Sequence, residues 1–425
     1  MAQSTITIVI VIAVIFLYAT EKLPLSLTTI LAMIAMVFFK ILTPAEAFSG
    51  FSSTATLLLV GITIIGEAFL TSGLVDKLGD LLMKIARVPL PLFTAIIFMV
   101  GSLLSAFLNG LAVVAIFMPI LDALAYRTGG KLKKKYTLMP LAIGAVLGGN
   151  LSVVGSTSMI NASNLLEESY YGKALSFFTP AAVAIPAVLA AFFFYLLIGE
   201  KLQEKCFDFE ETSTENLVQE ESHTLKSPAT WKAFFVILVM VLCVVGFVSG
   251  LDLAAVAFAG AAAVLISGCI STKQAYTGIS WETVFVISGT IGFAKGVEVS
   301  GAGKMIADAM IRVCGPFVQN EFTFCLVILV LSTVLSNFMS NNASVTIIAP
   351  IGLAIANEMG YYPLPLVLAC GVGVNLSLAT PICTACITMT TAAGYRFKDY
   401  LRIGGVVNLL AVIVTALAFY FVYYM

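Results

Sequence analysis

Long apolar runs separated by short polar interruptions dominate the chain, and the lengths of these runs predict membrane-spanning helices. A helix needs roughly 17–25 mostly apolar residues to cross a bilayer. Runs of this kind lie at 4–19, 24–40, 54–72, 174–198, 231–249, 252–270, 281–299 and 404–424. The pattern therefore predicts an all-α integral membrane protein with many spans.

Four further apolar regions are interrupted by Asn, Ser, Gly and Pro, which predicts a different structure for them. We expect re-entrant hairpins at 92–126 and 322–357, and broken helices at 136–160 and 362–395. An unpaired backbone group costs several kcal/mol inside hydrocarbon, so irregular backbone is tolerated only where it lines a cavity. We therefore expect ten spans and two hairpins, and broken helices of this kind are typical of secondary transporters that bind their substrate near the middle of the membrane.

The two halves of the chain resemble each other at nearly constant offsets. Residues 105–120 align with 336–351, and Asn150–Ser152 aligns with Asn375–Ser377. Six further residues match the residue 228 positions later, namely Ala47, Gly50, Gly61, Ser72, Gly73 and Asp80. Apolar composition does not produce matched Asn, Gly, Ser, Pro and Asp residues in one order, so we interpret these matches as an internal repeat.

The repeat divides the chain into two halves that are joined by a polar segment. The first half covers 1–199, the second covers 231–425, and the segment 200–230 between them is rich in Glu, Ser and Thr. That segment is too short for a domain, and its composition predicts a solvated cytoplasmic linker. Each half then contains scaffold spans, one hairpin and one broken helix.

Composition agrees with a membrane protein and excludes several other classes. The 425 residues are 60% hydrophobic and only 11% charged, with a formal net charge of −1. A soluble domain carries roughly 25% charged residues. A nucleic-acid partner is not expected either, because the chain has no basic surplus. We predict a multi-pass protein of the cell membrane with the lipid bilayer as its main partner.

The distribution of Lys and Arg predicts how the halves are oriented. The densest basic cluster lies between Arg127 and Lys135, and such clusters favour the cytoplasmic side. If hairpin 92–126 opens to that side, most of the 22 basic residues are cytoplasmic. The same scheme makes hairpin 322–357 open outward, so the two halves have inverted topology.

The hairpin tips carry amide and hydroxyl side chains at matched positions. The first tip contains Asn109 and Gly110, and the second contains Ser340, Asn341 and Asn342. A helix that begins at such a tip directs free N–H groups towards the membrane centre, where they favour an anion. Amide and hydroxyl groups add donors for a carboxylate or sulfate. We therefore expect a small anionic substrate at both tips.

The broken helices supply the second half of the expected site. Their interruption points are Gly155, Ser156 and Thr157 in the first half, and Ala379, Thr380 and Pro381 in the second. Carbonyl groups freed by such a break suit Na⁺ or another hard cation. The candidate Na⁺ ligands are Asn109, Gly155, Ser340, Asn341 and Ala379. The alternatives are interhelical packing by small polar residues and simple helix kinks.

Other chemistry-bearing residues give weaker indications. Glu67 and Lys295 are charged, lie in apolar helices and occupy equivalent repeat positions, which makes them candidates for a coupling role. Cys383 and Cys386 form a C-x-x-C pair, but the only histidine, His223, lies in the polar linker, so small-residue packing is favoured over a metal site. ATP-driven and hydrolytic motifs are absent from the sequence, which predicts that the protein is not an enzyme.

At these residues the chain resembles the divalent anion/sodium symporter family of the ion transporter superfamily. The resemblance covers nearly the whole chain and is carried by Ser340-Asn341-Asn342, Ala379-Thr380-Pro381, Phe177-Phe178 and Tyr276–Trp281. It implies an inverted-repeat, elevator-type homodimer in which a hairpin-bearing domain moves against a fixed scaffold. It also implies a di- or tricarboxylate or sulfate as substrate, with Na⁺ as the coupling ion.

The first tip departs from the family pattern. It reads Asn109-Gly110-Leu111, so Gly and Leu replace the Asn and Thr that are expected to hold one substrate carboxylate. This predicts a smaller, less charged or differently held substrate. Phe107–Asn109 resembles the citrate/arsenite branch more closely. Open alternatives are an arsenite-type carrier, a cation/proton antiporter, an anion exchanger without Na⁺ coupling and a non-transporting receptor.

Overall fold

In the computed structural model of the protein, all regular structure of the described residues is helical. The structure describes residues 3–20, 22–74, 82, 84–86, 88–128, 132–209, 230–305, 315, 320–381 and 384–425. Most of the expected linker, 210–229, lies outside them. So do three residues that the sequence singles out, namely Asp80, His223 and Cys383.

Nine helices are described in each half, and they follow one another in the same order. The first half contains α1 (Gln3–Thr20), α2 (Leu25–Phe38), α3 (Pro44–Ala47), α4 (Thr54–Thr71), α5 (Leu90–Ser105), α6 (Gly110–Arg127), α7 (Lys134–Gly148), α8 (Thr157–Glu167) and α9 (Ala181–Cys206). The second half contains α10 (Thr230–Val248), α11 (Leu253–Ile266), α12 (Thr272–Gly278), α13 (Trp281–Val299), α14 (Glu321–Ser336), α15 (Asn341–Met359), α16 (Pro363–Val374), α17 (Ala385–Thr390) and α18 (Phe397–Tyr424).

Three of the described helices are long and apolar enough to cross a membrane by themselves, at Ala181–Cys206, Trp231–Val248 and Phe397–Tyr424. The other apolar helices are shorter, and several are paired end to end around an interruption. These interruptions fall between α5 and α6, α7 and α8, α14 and α15, and α16 and α17. They lie inside the four regions where the sequence predicts a hairpin or a broken helix.

Helix α9 differs in its limits from the span expected at 174–198. It begins at Ala181, because residues 172–176 have no regular structure, residues 177–180 form a turn, and the Phe177 carbonyl accepts a 3.0 Å hydrogen bond from the Val153 N–H. It continues to Cys206 through a π-helical turn, so the polar segment after it begins later than residue 200. The loop before α9 is thereby attached to the interruption between α7 and α8.

The two halves pack against each other reciprocally. Helix α2 packs on α13, and its counterpart α11 packs on α4. At these crossings a Cβ on Gly61 would lie 2.8 Å from Ala257, and a Cβ on Gly289 would lie 2.5 Å from Thr29. Thr29 and Gly61 are each 228 positions before their counterparts Ala257 and Gly289, so one contact is the repeat image of the other. Such a self-complementary exchange of contacts is what a twofold relation between halves produces.

Contacts within each half also repeat. The Ser102 hydroxyl donates to the Gly144 carbonyl at 3.0 Å, and the Thr333 hydroxyl donates to the Gly373 carbonyl at 2.9 Å. Each bond joins the first helix of a pair to the helix that follows the pair. In the first half it joins α5 of the pair α5–α6 to α7, and in the second half it joins α14 of the pair α14–α15 to α16. The sequence repeat is therefore a repeat of packing.

Candidate functional site

A cavity of about 880 Å³ lies where the two halves meet. Its wall includes α4, the start of α6, the first tip (residues 106–111) and the second tip (residues 337–342). Eight of the residues singled out as site candidates line it, namely Asn109, Gly110, Gly155, Ser156, Thr157, Ser340, Asn341 and Asn342. The structure thus brings both tips and the first broken helix together around one space.

The three candidates of the second broken helix lie elsewhere. Ala379 donates its N–H to Asn337 Oδ1 at 3.1 Å, and the Thr380 hydroxyl donates to the Asn337 carbonyl at 2.6 Å. With Pro381, they pack behind the second tip and do not line the cavity. The same broken helix reaches the cavity through Asn375 and Thr384 instead.

The first turns of three helices line the cavity. Helices α6, α8 and α15 begin at Gly110, Thr157 and Asn341, all of which contact it. Their caps are polar, because Asn109 accepts a 2.9 Å bond from the Leu111 N–H, and Ser156 and Ser340 accept equivalent bonds one turn inside their helices. Three helix N-termini with their partial positive charge therefore converge on one space.

Asn375 is the centre of the hydrogen-bond network beneath the cavity. Its Nδ2 donates to Asn150 Oδ1 at 2.7 Å and to Ser156 Oγ at 2.8 Å. Its Oδ1 accepts from Asn341 Nδ2 at 2.7 Å and from Ser158 Oγ at 3.1 Å. Asn375 therefore joins the first broken helix to the second tip. Its side chain is almost completely buried.

A second bridge joins the same two elements closer to the cavity. Asn342 Nδ2 donates to Thr157 Oγ1 at 3.1 Å. Asn341 is also held from the other side, because the Ser336 hydroxyl donates to its Oδ1 at 2.5 Å. The second tip is therefore fixed by its own half and by the other half before any ligand arrives.

The first tip lacks this arrangement. Gly110 is the repeat equivalent of Asn341, and Ser105 is the equivalent of Ser336. The Ser105 hydroxyl is buried and makes no hydrogen bond with any of the described residues. A Cβ on Gly110 would lie only 3.0 Å from that hydroxyl. The absent amide thus leaves a buried hydroxyl unsatisfied next to the cavity.

Backbone carbonyl groups crowd the same place. A Cβ on Gly155 would lie 2.7 Å from the carbonyl oxygens of both Gly149 and Ser105. Ser105 and Asn109 line the same cavity as Gly149 and Gly155, and their hydroxyl, amide and carbonyl oxygens are all neutral hard donors. Carbonyl, amide and hydroxyl oxygens are the ligands that a hard cation such as Na⁺ prefers. The described residues contain no His, Cys, Asp and Glu group that could hold a softer metal ion.

The charges at the cavity are acidic. Among the described residues that line the cavity, Glu67 and Glu282 are the charged ones, and no Lys or Arg is among them. Glu282 is exposed, whereas Glu67 is half-buried. Any anion bound between the tips would therefore be held by helix N-termini, amides and hydroxyls rather than by a basic side chain.

The cavity breaks the symmetry of the two halves. Ile62 of α4 and Ala115 of α6 both line it. Their repeat equivalents, Thr290 of α13 and Thr346 of α15, are fully buried and hydrogen-bonded to each other at 3.1 Å. One half is therefore open between its scaffold helix and its tip-bearing helix, and the other half is closed at the matching place.

Several residues of the site were not among the candidates. Asn150, Asn375 and Ser158 lie inside motifs that the sequence marks, but which of their side chains meet is decided by three-dimensional packing. The matched Asn-Leu-Ser triplets at 150 and 375 were the available signal. Ser105 carried no signal of its own, because its importance comes from the absence of a side chain at Gly110.

Comparison with known proteins identifies the class of molecule. A family model described as citrate transporter matches residues 15–371 and 317–425. An uncharacterised transporter of Synechocystis is 21% identical over 99% of this chain and 97% of the relative. The mouse Na⁺/citrate cotransporter is 28% identical over 33% of this chain and 24% of the relative. A probable sodium/sulfate cotransporter of Chlamydomonas reinhardtii is 26% identical over 34% of this chain and 16% of the relative.

Two solved transporter structures share the fold. The Alcanivorax borkumensis YdaH transporter superposes with a TM-score of 0.64 at 13% identity, covering 88% of this chain and 86% of that one. Neisseria gonorrhoeae MtrF superposes with a TM-score of 0.61 at 14% identity, covering 99% of this chain and 94% of that one. At these identities the likeness concerns the fold alone.

Proposed function

Because this chain belongs to the citrate transporter family, whose members are membrane transporters and not enzymes, we propose that it carries a small anion across the membrane together with Na⁺. The substrate class is a di- or tricarboxylate or sulfate. Mouse and algal relatives are named as sodium cotransporters of citrate and sulfate, which supports this choice. The protein acts as a symporter in the cell membrane.

The observation that carries the proposal is the convergence of three helix N-termini on one cavity. Gly110, Thr157 and Asn341 begin these helices, and Asn341 and Asn342 direct amide groups to the same space. Free N–H groups and amide donors suit carboxylate or sulfate oxygens. A neutral site of this kind binds a doubly charged anion best when a cation binds with it, which provides a physical reason for coupling.

Na⁺ would bind next to the first tip. The oxygens that fit it are the Ser105 hydroxyl, the Asn109 amide and the carbonyl groups around Gly155. A cation there lies beside the N-termini of α6 and α8 and offsets the charge of the anion. Ser340, Asn341 and Ala379 remain the candidates for a second ion at the other half.

In the proposed transport cycle, the two halves exchange their open and closed arrangements. In the proposed cycle the tip-bearing helices α5–α8 and α14–α17 move as one unit against a scaffold that contains α4 and α13. When Thr290 and Thr346 separate, Ile62 and Ala115 come together, and the cavity opens on the opposite face. Because the halves have inverted topology, the inward-open and outward-open states are close in free energy. Bound ligands can therefore shift their populations.

The cavity wall on α4, Gly278 and Glu282 belongs to the face that the distribution of basic residues predicts to be cytoplasmic. The described state is therefore the inward-open one in this scheme. A homodimer would anchor the scaffold while the tip-bearing unit moves, as the family resemblance implies.

Counterflow into proteoliposomes tests the substrate class. Vesicles loaded with unlabelled succinate, citrate or sulfate are diluted into the labelled anion, with Na⁺ or with choline on both sides. We expect labelled anion to accumulate for at least one substrate, and only with Na⁺. Counterflow that is equal in choline would contradict Na⁺ coupling and favour an anion exchanger. Absence of counterflow for every anion would contradict the proposed function.

A further inference from the structure

We propose that Lys295 and Glu67 are counterpart charges that make the affinity for the transported anion unequal on the two faces of the membrane. Lys295 attracts the anion where the site opens outward, and Glu67 weakens its binding where the site opens inward. The inference rests on the proposed function, since it concerns the same anion and the same two states. It assigns both residues to vestibules, by which we mean the part of the cavity between the tips and the membrane face. The vestibule wall around Glu67 contains Gly278 and Glu282.

The first step is the position of Glu67. Glu67 lies on α4, is half-buried and lines the cavity. It is four residues before Thr71, the α4 end that the distribution of basic residues predicts to be cytoplasmic. It packs on Gly278 of α12, where an added Cβ would lie 2.9 Å from Glu67 Cγ. Its carboxylate makes no hydrogen bond or ion pair that ties it to another described side chain, so its charge faces the space through which an anion must leave.

The second step is the position of Lys295 in the other half. It lies on α13, 228 positions after Glu67, and it is half-buried as well. Among the described residues it makes no ion pair, whereas Lys134 and Lys304 do. Because the halves exchange contacts reciprocally, Lys295 has the relation to the closed vestibule that Glu67 has to the open one.

The residues next to Lys295 and their repeat equivalents next to Glu67 also differ in charge. Glu46 is an acidic residue close to Lys295 on a neighbouring element, and it is held in a capping box by bonds of 2.9 and 2.7 Å from the Thr43 N–H and hydroxyl. These bonds hold the pKa of Glu46 below its usual value, so its charge partly offsets Lys295. The repeat equivalent of Glu46 is Gln274, which is neutral and capped in the same way by Ser271.

The two vestibules therefore differ in local charge. One combines Lys295 with Glu46 and with the exposed Glu298, one turn further along α13, and the other combines Glu67 and Glu282 with Gln274. The first is therefore the less negative of the two and the more favourable to an anion. In the open state of each vestibule the charge lies in water-filled space, where one unit charge changes the affinity for an anion by about three- to tenfold. This asymmetry favours binding outside and release inside.

The test measures the KM for the anion separately on each face. Membrane vesicles of both orientations are prepared from the full-length protein, and uptake of labelled citrate, succinate or sulfate is followed at fixed Na⁺. We expect Lys295→Gln to raise the external KM by about three- to tenfold, and Glu67→Gln to lower the internal KM by a similar factor. In each case the KM on the other face changes less, and the effect lies in KM rather than in the maximal rate.

Ionic strength and control variants separate electrostatics from damage to the fold. Added choline chloride is expected to raise the external KM of the unaltered protein and to have little effect on Lys295→Gln, because screening acts only on a charge that is present. Lys295→Arg is expected to restore the KM. Lys304→Gln removes an exposed lysine of the same half that pairs with Glu358 at 3.1 Å, and it is expected to leave both KM values unchanged.

The proposed function and the role of the vestibule charges would be contradicted by different results. If the unaltered protein carries none of the anions, the proposed function itself is wrong. If it carries one of them while Lys295→Gln keeps the external KM and its salt dependence, the vestibule charges have no such role and the proposed function stands.

Discussion

Asn375 donates its amide to Asn150 Oδ1 at 2.7 Å, so the two equivalent asparagines of the internal repeat are hydrogen-bonded to each other. This pair lies where the halves meet, and both side chains are almost completely buried. Through Asn341 and Ser156 it reaches the second tip and the first broken helix. The same contact therefore fastens the halves together and positions the groups that line the cavity.

Asn375→Ala is expected to lower the free energy of unfolding by about 2–4 kcal/mol, because several buried donors and acceptors lose their partner at once. Thermal unfolding of the purified protein in detergent measures the loss. Transport is expected to fall with stability, since both broken helices and the second tip lose the same support. An Asn375→Ala protein of unchanged melting temperature would contradict this structural role.

Asn341→Ala is the matched control for that variant. Its side chain also contacts Asn375, but it lines the cavity and belongs to the tip. We expect substrate binding to be abolished while the protein still folds, as judged by a single symmetric peak in size-exclusion chromatography. Wild-type affinity in Asn341→Ala would remove this residue from the site.

Ser105→Ala is expected to weaken Na⁺ binding without destabilising the Na⁺-free protein. The hydroxyl has no hydrogen-bond partner among the described residues, so its removal costs little or raises stability slightly. Na⁺ added to the unaltered protein should raise its melting temperature, and this increase should shrink in Ser105→Ala.

The equivalent Ser336→Ala behaves differently in this account. Its hydroxyl donates to Asn341 at 2.5 Å, so its loss is expected to cost about 1 kcal/mol with or without Na⁺. Identical melting curves for the two variants would show that the unpaired hydroxyl at the first tip is not a cation ligand.

Gly61→Ala is expected to destabilise the protein by about 1–3 kcal/mol, because the added Cβ would overlap Ala257 across the crossing of α4 and α11. Gly66→Ala on the same helix is the control. Its Cβ would lie 3.7 Å from the nearest atom, so the helix gains up to about 1 kcal/mol from the better helix former. Urea or thermal unfolding that ranks the two variants in the opposite order would contradict the reciprocal packing.

A pair of cysteine substitutions tests the exchange between states. In a background without native cysteines, Thr290→Cys with Thr346→Cys is expected to cross-link readily in the described state and to stop transport until the disulfide is reduced. Ile62→Cys with Ala115→Cys is expected to cross-link only when the cavity closes, and faster when Na⁺ and substrate are both present. A transport-active protein in which this second pair never cross-links would contradict the alternating movement.

Much of the fold was predictable because breaks and repeats leave direct marks in a sequence. Asn109 and Ser340 fall at helix starts, where short polar side chains cap exposed N–H groups. The interruption at Gly155 was predictable for the same reason. The start of α9 was not, because an apolar run gives no signal of where a neighbouring loop will pair with the backbone before the helix.

The remaining features depend on three-dimensional contacts or on a choice between states. The Asn150–Asn375 bond joins residues 225 positions apart, and the repeat match gives their equivalence without giving their contact. The closed pair Thr290–Thr346 and the open pair Ile62–Ala115 are harder still. A repeat in the sequence describes both states equally, so it cannot indicate which half is open.

The central claim, Na⁺-driven anion transport, is tested most directly by uphill accumulation. Proteoliposomes contain the labelled anion at equal concentration on both sides, and the only gradient applied is Na⁺, higher outside, with the membrane potential clamped at zero. The account predicts that the labelled anion accumulates inside, that accumulation disappears when Na⁺ is equal on both sides, and that Asn341→Ala shows none. An unchanged internal concentration under the Na⁺ gradient, in vesicles that show counterflow of the same anion, would contradict it.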